Sequence, residues 1–322
     1  MTPSTPAQAA PGPGPDRARG AHAASTAGQR DALAGRLRGH VAALEGVRHP
    51  IAAPERHRAA RDYAATELAA LGLDVALLPF TFRGRTYHNV LGVLAARDAR
   101  RPRLLVGAHF DSTADTPGAD DNASGMAALL ECARLVTTHP PQCGGVEFVG
   151  FDLEELQTVT GRYRVGSQAL ARAKRARREP LTGALILEMV GYRDATPGAQ
   201  TVPPFLGIDV PTTGDFLAAV GDGRSHTLLD GFAAGARAAT PDLPLVAYRT
   251  RWRGWLLPLT RLSDNASFWD AGYASLMLTD TAFLRNPHYH RTSDTAATLD
   301  YEFMAMVTEA TAGGVGRLAD AP

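Results

Sequence analysis

Chemistry in this sequence gathers where apolar runs stop. "RLLVGAHFD" closes on His109 and Asp111, "VEFVGFDLEE" on Glu154 and Glu155, and "SLMLTDTAFLRNPHYH" on His288, Tyr289 and His290. Glu188 interrupts the apolar "LILEMVGY", and the polar loop "GADDNASG" sets Asp120 beside Asp121. Imidazoles and carboxylates without a convergent cysteine suit a borderline divalent ion such as Zn2+, whose bonds to these donors are about 2.0–2.2 Å. Ca2+ would take oxygen ligands only. An ionised Glu188 is costly to bury unpaired, so a cation must sit near it, an arginine or a metal; the company of other donors favours the metal. Asp111 lies two places after His109, on the same face of a strand, where it can fix the ring's tautomer. Glu154 and Glu155 are adjacent, which allows one to ligate metal and the other to move protons.

Something must carry these groups to one place. From "RDALAGRLRGHVAALEGV" and "APERHRAARDYAATELAALGL" the apolar spacing predicts two amphipathic helices, the second stopped by glycine after Leu71. "DVALLPFTFRGRTYHNVLGVLAA" alternates like two strands around Arg83-Gly84. The runs "RLLVGAHF", "GVEFVGFDL" and "GALILEMVGY" are strands interleaved with the helices "SGMAALLECARLV" and "GSQALARAKRA". That rhythm predicts an α/β fold: a mainly parallel sheet with helices on both faces, its ligands bound beyond the carboxyl ends of the strands. Residues 193–262 break the rhythm with proline-rich loops, a helix near "TTGDFLAAVGDGRSHTLLDGFAAGARAA" and the aromatic "YRTRWRGWLLPL", and read as an insertion or lid. The pattern resumes with helix "SDNASFWDAG", strand "YASLMLTDTA", a histidine-rich loop and a last helix from about Asp300. Residues 1–27, made mostly of Pro, Ala, Gly and Ser, bury too little to offset their ordering entropy and read as a disordered tail; residues 28–322 read as a single domain.

Composition narrows the partners. Lys+Arg and Asp+Glu both number 33, so no net field steers the chain to nucleic acid or an anionic membrane. The basic run "RAKRARRE" reads as a solvated helix face. Cys132 and Cys143 make neither a metal pair nor a disulfide framework, in keeping with a reducing compartment. The first residues lack the apolar stretch of a secretory signal and no run is long enough to span a membrane, so the expectation is a cytoplasmic protein. "GRYRVGS" has Val165 where a phosphate loop needs lysine, and no GxSxG nucleophile elbow occurs.

Taken in order, "GAHFDS", "GADDNASG", "FDLEE", "LEMVGY", "SDNASFWDAGY" and "NPHYHRTSDTAATLD" resemble the di-zinc aminopeptidase superfamily, peptidase family M28, with its glutamate carboxypeptidase and glutaminyl cyclase relatives. The resemblance runs from about His40 to the C-terminus. It implies a three-layer α/β sandwich with a mixed, mostly parallel sheet and two zinc ions. By motif it implies that Asp121 bridges the metals, that His109 and Glu188 complete one site, and that Glu155 and His290 complete the other. Glu154 is then the general base, and Tyr289 a candidate donor to the oxyanion of a tetrahedral intermediate. Spacing to the following "SDT" selects His290 over His288.

Some positions depart from the family pattern. Glu188 stands where Asp is frequent, Asn265 where His is usual, and Arg291 where a small residue is commoner. Trp252, Trp255 and Phe268 fit either a side-chain pocket or the core, with the core favoured. The implied activity is hydrolysis of an amide in a small peptide, foremost release of an N-terminal residue. Acyl transfer of the glutaminyl cyclase kind, a dedicated amidase and a non-catalytic binding module are the alternatives.

Overall fold

Four near-continuous apolar runs become the parallel middle of one eight-stranded sheet. The computed structural model describes residues 27–155, 163–204 and 206–321, so the expected tail lies outside the described residues except at its last position. The strands are β1 (Asp74–Phe82), β2 (Arg85–Leu94), β3 (Arg103–His109), β4 (Val146–Phe151), β5 (Leu181–Leu187), β6 (Leu217–Gly221), β7 (Leu245–Arg249) and β8 (Ser275–Thr279). Their order is β1-β2-β4-β3-β5-β8-β6-β7. β4, β3, β5 and β8 run parallel, while β2 joins β4 and β6 joins β8 antiparallel. β1 and β2 form a hairpin whose two turn residues, Arg83 and Gly84, both have positive φ (49° and 74°), as the right-handed twist of a two-residue hairpin demands.

Every residue of β4 and β8 is buried, and nearly every one of β3 and β5; helices cover both faces of β4, β3 and β5. The helices are α1 (Ala27–Leu44), α2 (Pro54–Ala70), α3 (Gly125–Thr138), α4 (Val165–Ala176), α5 (His226–Ala239), α6 (Asn265–Ala271) and α7 (Tyr301–Ala319). On one face, α2, α3, α5 and α7 pack on Val90, Leu104, Val106, Phe148, Leu185 and Leu276. On the other, α4 and α6 pack on Leu105, Val149, Phe151, Ala184 and Ile186. The result is the expected three-layer sandwich on a mixed, mostly parallel sheet.

One expected element is corrected. The helix read across "TTGDFLAAVGDGRSHTLLDGFAAGARAA" is a strand, β6, then a turn, then α5. Leu217–Gly221 is buried on both faces of the sheet, an environment that overrides the helical preference of its alanines. β7, inside "LPLVAYRT", was not foreseen. Residues 193–262 therefore contribute two strands and a helix to the sheet edge as well as loops. The basic run also has an exception: Lys174 turns inward to Glu147 (2.8 Å) and Glu179.

Candidate metal centre

The carboxyl ends of the four parallel strands converge on one rim. β3 ends in His109, β4 is followed by Glu154 and Glu155, β5 by Glu188, and the chain beyond β8 leads to His290. Three of the turns that aim these side chains use left-handed backbone on residues other than glycine: Leu153 (φ 56°), Met189 (φ 49°) and His290 itself (φ 54°). Such conformations persist only where packing enforces them, and here they sit beside Glu154, beside Glu188 and on His290.

Asp121 is the hub. One of its oxygens lies 3.3 Å from His109 Nε2 and the other 3.0 Å from His290 Nε2. Glu188 Oε1 is 3.5 Å from the same nitrogen of His109, and Glu155 Oε2 is 3.5 Å from that of His290. Two donor triads result, His109–Asp121–Glu188 and Asp121–Glu155–His290, each with its ligand atoms within 4.8 Å of one another. Glu154 lies in the wall of the same cleft, buried.

The hub is held from three directions. The Asp294 carboxylate accepts the backbone N–H of Asp120 (2.8 Å) and of Asp121 (3.1 Å). Buried Arg48 donates to the carbonyls of Phe110, Pro117 and Gly118, each at 2.8 Å, tying the end of β3 to the start of the acidic loop. Asn122 accepts from Met189 N (3.1 Å) and donates to Leu187 O (2.8 Å), which locks the loop to the end of β5. Gly118 opens the loop at φ 61°, and a Cβ there would lie 2.3 Å from the Asp121 carbonyl oxygen, so no other residue fits without a shift. Asp120 points away from the hub and accepts from Asn286 Nδ2 (2.6 Å), Gly191 N (2.9 Å) and Ser124 Oγ (3.0 Å).

Asp111 does more than the sequence suggested. Its Oδ1 is 3.5 Å from His109 Nδ1, and its two oxygens also accept the backbone N–H groups of Glu154 (3.0 Å) and Glu155 (3.1 Å). A single carboxylate thus orients the imidazole and the acidic pair. Glu188 is steadied by Ser263 Oγ at 2.5 Å.

Electrostatics fit a missing positive charge. Burial, then Asp121, push Glu155 up to about 7. Burial, with Glu188, Asp264 and Glu155 adding to it, holds Glu154 well above the ordinary carboxylate range although His109 opposes this. Burial works against a charged His109, yet Glu188, Asp111 and Asp121 hold it well above the usual imidazole value. His109 Nε2 is buried without a well-formed hydrogen bond and faces two carboxylates, whereas an imidazole nitrogen can offer only one proton. Carboxylates in excess of cations around such a nitrogen are the donor set a divalent ion satisfies.

Other expected residues fall as follows. His288 bonds Ser293 Oγ (2.9 Å) and stays out of both triads. Tyr289 stacks on the His290 ring, 3.8 Å between centroids, and lines the cleft. Phe268 is core, against Phe151. Trp252 and Trp255 are neither core nor pocket: in and just after a three-residue helical turn, they are 75 % and 66 % exposed. Asn265 serves its own loop through Thr260 O (3.0 Å), and Arg291 is exposed. The sequence reading did not single out Arg48, Asp294, Asn286 or Ser263; only the nearness of "SDT" to His290 hinted at Asp294.

The cleft is about 960 Å3 including its open mouth. Its charged lining residues are Asp121, Glu154, Glu155, Glu188 and His290; the rest of the wall is apolar or uncharged.

The three-layer fold and the clustered donors are those expected of a metallopeptidase. A profile of peptidase family M28 matches residues 89–315, and the chain belongs to that family of metallopeptidases. It is 34% identical over 235 residues to the uncharacterised protein YfbL of Escherichia coli, covering 70% of this chain and 69% of that one. Leupeptin-inactivating enzyme 1 of Streptomyces exfoliatus is 31% identical over 52% of this chain and 39% of its own length. Aminopeptidase YwaD of Bacillus subtilis is 31% identical over 30% of this chain and 21% of its own length, so the chain spans well under half of these two relatives. Among solved structures, the LapA aminopeptidase of Legionella pneumophila shares the fold at a TM-score of 0.68 and 17% identity, over 95% of this chain and 78% of that one. A glutaminyl cyclase of Bacteroides thetaiotaomicron shares it at 0.66 and 20%, over 89% and 97%. Among the described residues no helix is long and apolar enough to cross a membrane.

Proposed function

We propose that this chain hydrolyses a peptide bond at a centre of two zinc ions and releases an N-terminal residue. The observation that carries the reading is the position of Asp121, one carboxylate shared by two complete donor triads. His109 and Glu188 would hold one ion, Glu155 and His290 the other, with Asp121 between them. The donor set, two imidazoles with carboxylates and no cysteine, favours zinc over calcium. Ions bound there would polarise the scissile carbonyl and make a water acidic enough to attack at neutral pH.

The protein's own groups do the rest. Glu154, its proton affinity raised by burial and by neighbouring acids, takes a proton from the attacking water as the oxygen adds to the carbonyl carbon. It returns that proton to the amide nitrogen as the C–N bond breaks, which leaves a carboxylic acid and a free amine. Asp111 keeps Glu154 and His109 in register through its three contacts. Tyr289, stacked on His290 in the cleft wall, would donate to the developing oxyanion. Release of an N-terminal residue is supported by the aminopeptidase among the relatives.

The test combines metal analysis with hydrolysis of leucyl and alanyl peptides. Two zinc ions per chain, activity lost on chelation and restored by zinc, and an inactive, metal-replete Glu154→Gln variant are expected. Full activity after chelation, or an undiminished variant, overturns the mechanism. A glutamine-initiated peptide that loses only ammonia would assign the site to cyclisation instead.

A further inference from the structure

Among the described residues, the β6, β7 and β8 end of one sheet face is apolar and carries no helix. Beside the α4 and α6 layer, the same face of β6, β7 and β8 presents Phe216, Ala218, Val220, Val246, Tyr248 and Met277, a cluster to which no helical residue belongs. Alternate residues of these strands, Leu217, Ala219 and Leu278, face α5 and α7 in the ordinary way. Loops from residues 200–204, 206–210 and 257–263 cover the helix-free face, and the cleft from the metal centre runs beneath them.

This cavity is polarised end to end. All its charged groups lie at the metal end; beyond them the wall is leucine, isoleucine, valine, phenylalanine and methionine, with uncharged Gln200 and threonines. Its rim exposes Ile208 (41 %), Leu262 (44 %) and Phe283 (47 %), apolar surface that a soluble protein gains nothing by leaving wet. A group confined to the metal end would leave the floor of β6 and β7 uncovered.

From this we infer that the substrate carries a long apolar chain on its scissile carbonyl carbon, laid along the helix-free face of β6, β7 and β8. The inference rests on the hydrolytic reading above, since the metal centre fixes the carbonyl end. The chain could be the side chain of an N-terminal amino acid or a plain acyl chain; both present the same alkyl group to the cavity, and they differ by an α-amine near the carboxylates.

The zinc-loaded protein is assayed with 4-nitroanilides of alanine, leucine, 2-aminooctanoate, 2-aminodecanoate and decanoate. kcat/KM should climb about fourfold per added methylene, the worth of burying one CH2, until the cavity is filled. Cleavage of the decanoyl compound assigns a plain acyl chain; cleavage of 2-aminodecanoyl alone assigns a free α-amine. A flat or falling series with leucyl hydrolysis intact overturns the long-chain inference and leaves the hydrolase standing. If no anilide is cleaved, the hydrolytic reading fails, and the cavity is judged by binding alone: 11-(dansylamino)undecanoate should bind with blue-shifted emission and be displaced by decanoate. Absence of binding overturns the inference. Ala218→Trp and Val246→Trp, which block the floor from two strands, should each flatten the chain-length series and weaken the dansyl probe at least tenfold; steep series and unchanged binding in both overturn it.

Discussion

Two buried acidic sites in this molecule make opposite arrangements for their charge. Glu131, on α3, meets Arg36 at 2.9 Å, Arg134 at 2.7 Å and His40 at 3.3 Å. Although burial opposes it, these partners lower its carboxyl to about 2. At the rim of the parallel strands, four carboxylates, Asp121, Glu154, Glu155 and Glu188, share two imidazoles, and Glu155 rises to about 7. A site that supplies its own cations is complete as folded. A site short of them is of the kind an imported cation completes, which is the ground for reading the rim as a metal centre.

The largest effect that would sharpen this contrast is Asp121→Asn. Removing the shared carboxylate should cost both ions and bring hydrolysis down to the level of chelated protein, read by metal analysis alongside activity. Retention of both ions with normal turnover would break the comparison. Next comes Glu154→Gln, which should lower kcat by about 10^2–10^4 while metal content stays at the wild-type level, since this residue belongs to neither triad. Asp294→Ala touches no donor but frees the backbone that presents Asp121, and should cost about 10- to 100-fold in metal affinity or activity, measured by competition with a zinc chelator.

The smallest effect belongs to the self-sufficient site. Glu131→Gln should cost about 1–2 kcal/mol of stability at neutral pH by leaving its arginines without an anion, and should leave turnover within about twofold, as checked by denaturant unfolding and peptide hydrolysis. The sign of its pH dependence follows from a folded-state value below the ordinary carboxylate one of 4.5. The stabilisation is whole above that value and disappears as pH falls towards 2, so wild type and variant should converge in acid. A gap that widens on acidification would reverse the assignment.

Much of the site was legible because a charge that interrupts an apolar strand end is conspicuous. Glu188 inside "ALILEMV" and the pair after "VEFVGFDL" needed only the rule that ligands gather beyond parallel strands. The structure brings His109, Asp121, Glu155, Glu188 and His290 together as two triads. What holds them was not legible. Arg48 and Asp294 act on backbone groups 62 to 174 residues away in the chain, and such bonds leave no periodic mark in sequence. β6 and β7 were missed because short runs containing alanine fit either period; burial on both faces decides β6, and β7 is a part-exposed edge strand beside it. Trp252 and Trp255 were drawn inward by a composition rule that their place on an exposed turn defeats.

The Asp294 clamp ties the chemistry to the order of synthesis. Asp121, Glu154 and Glu155 emerge well before the carboxylate that fixes the first of them and the imidazole that completes its second triad. A ribosome-bound chain that has not yet reached His290 carries half a centre, whatever the state of its sheet. A chain stopped short of His290 therefore lacks both the clamp on the acidic loop and the second triad of the proposed centre.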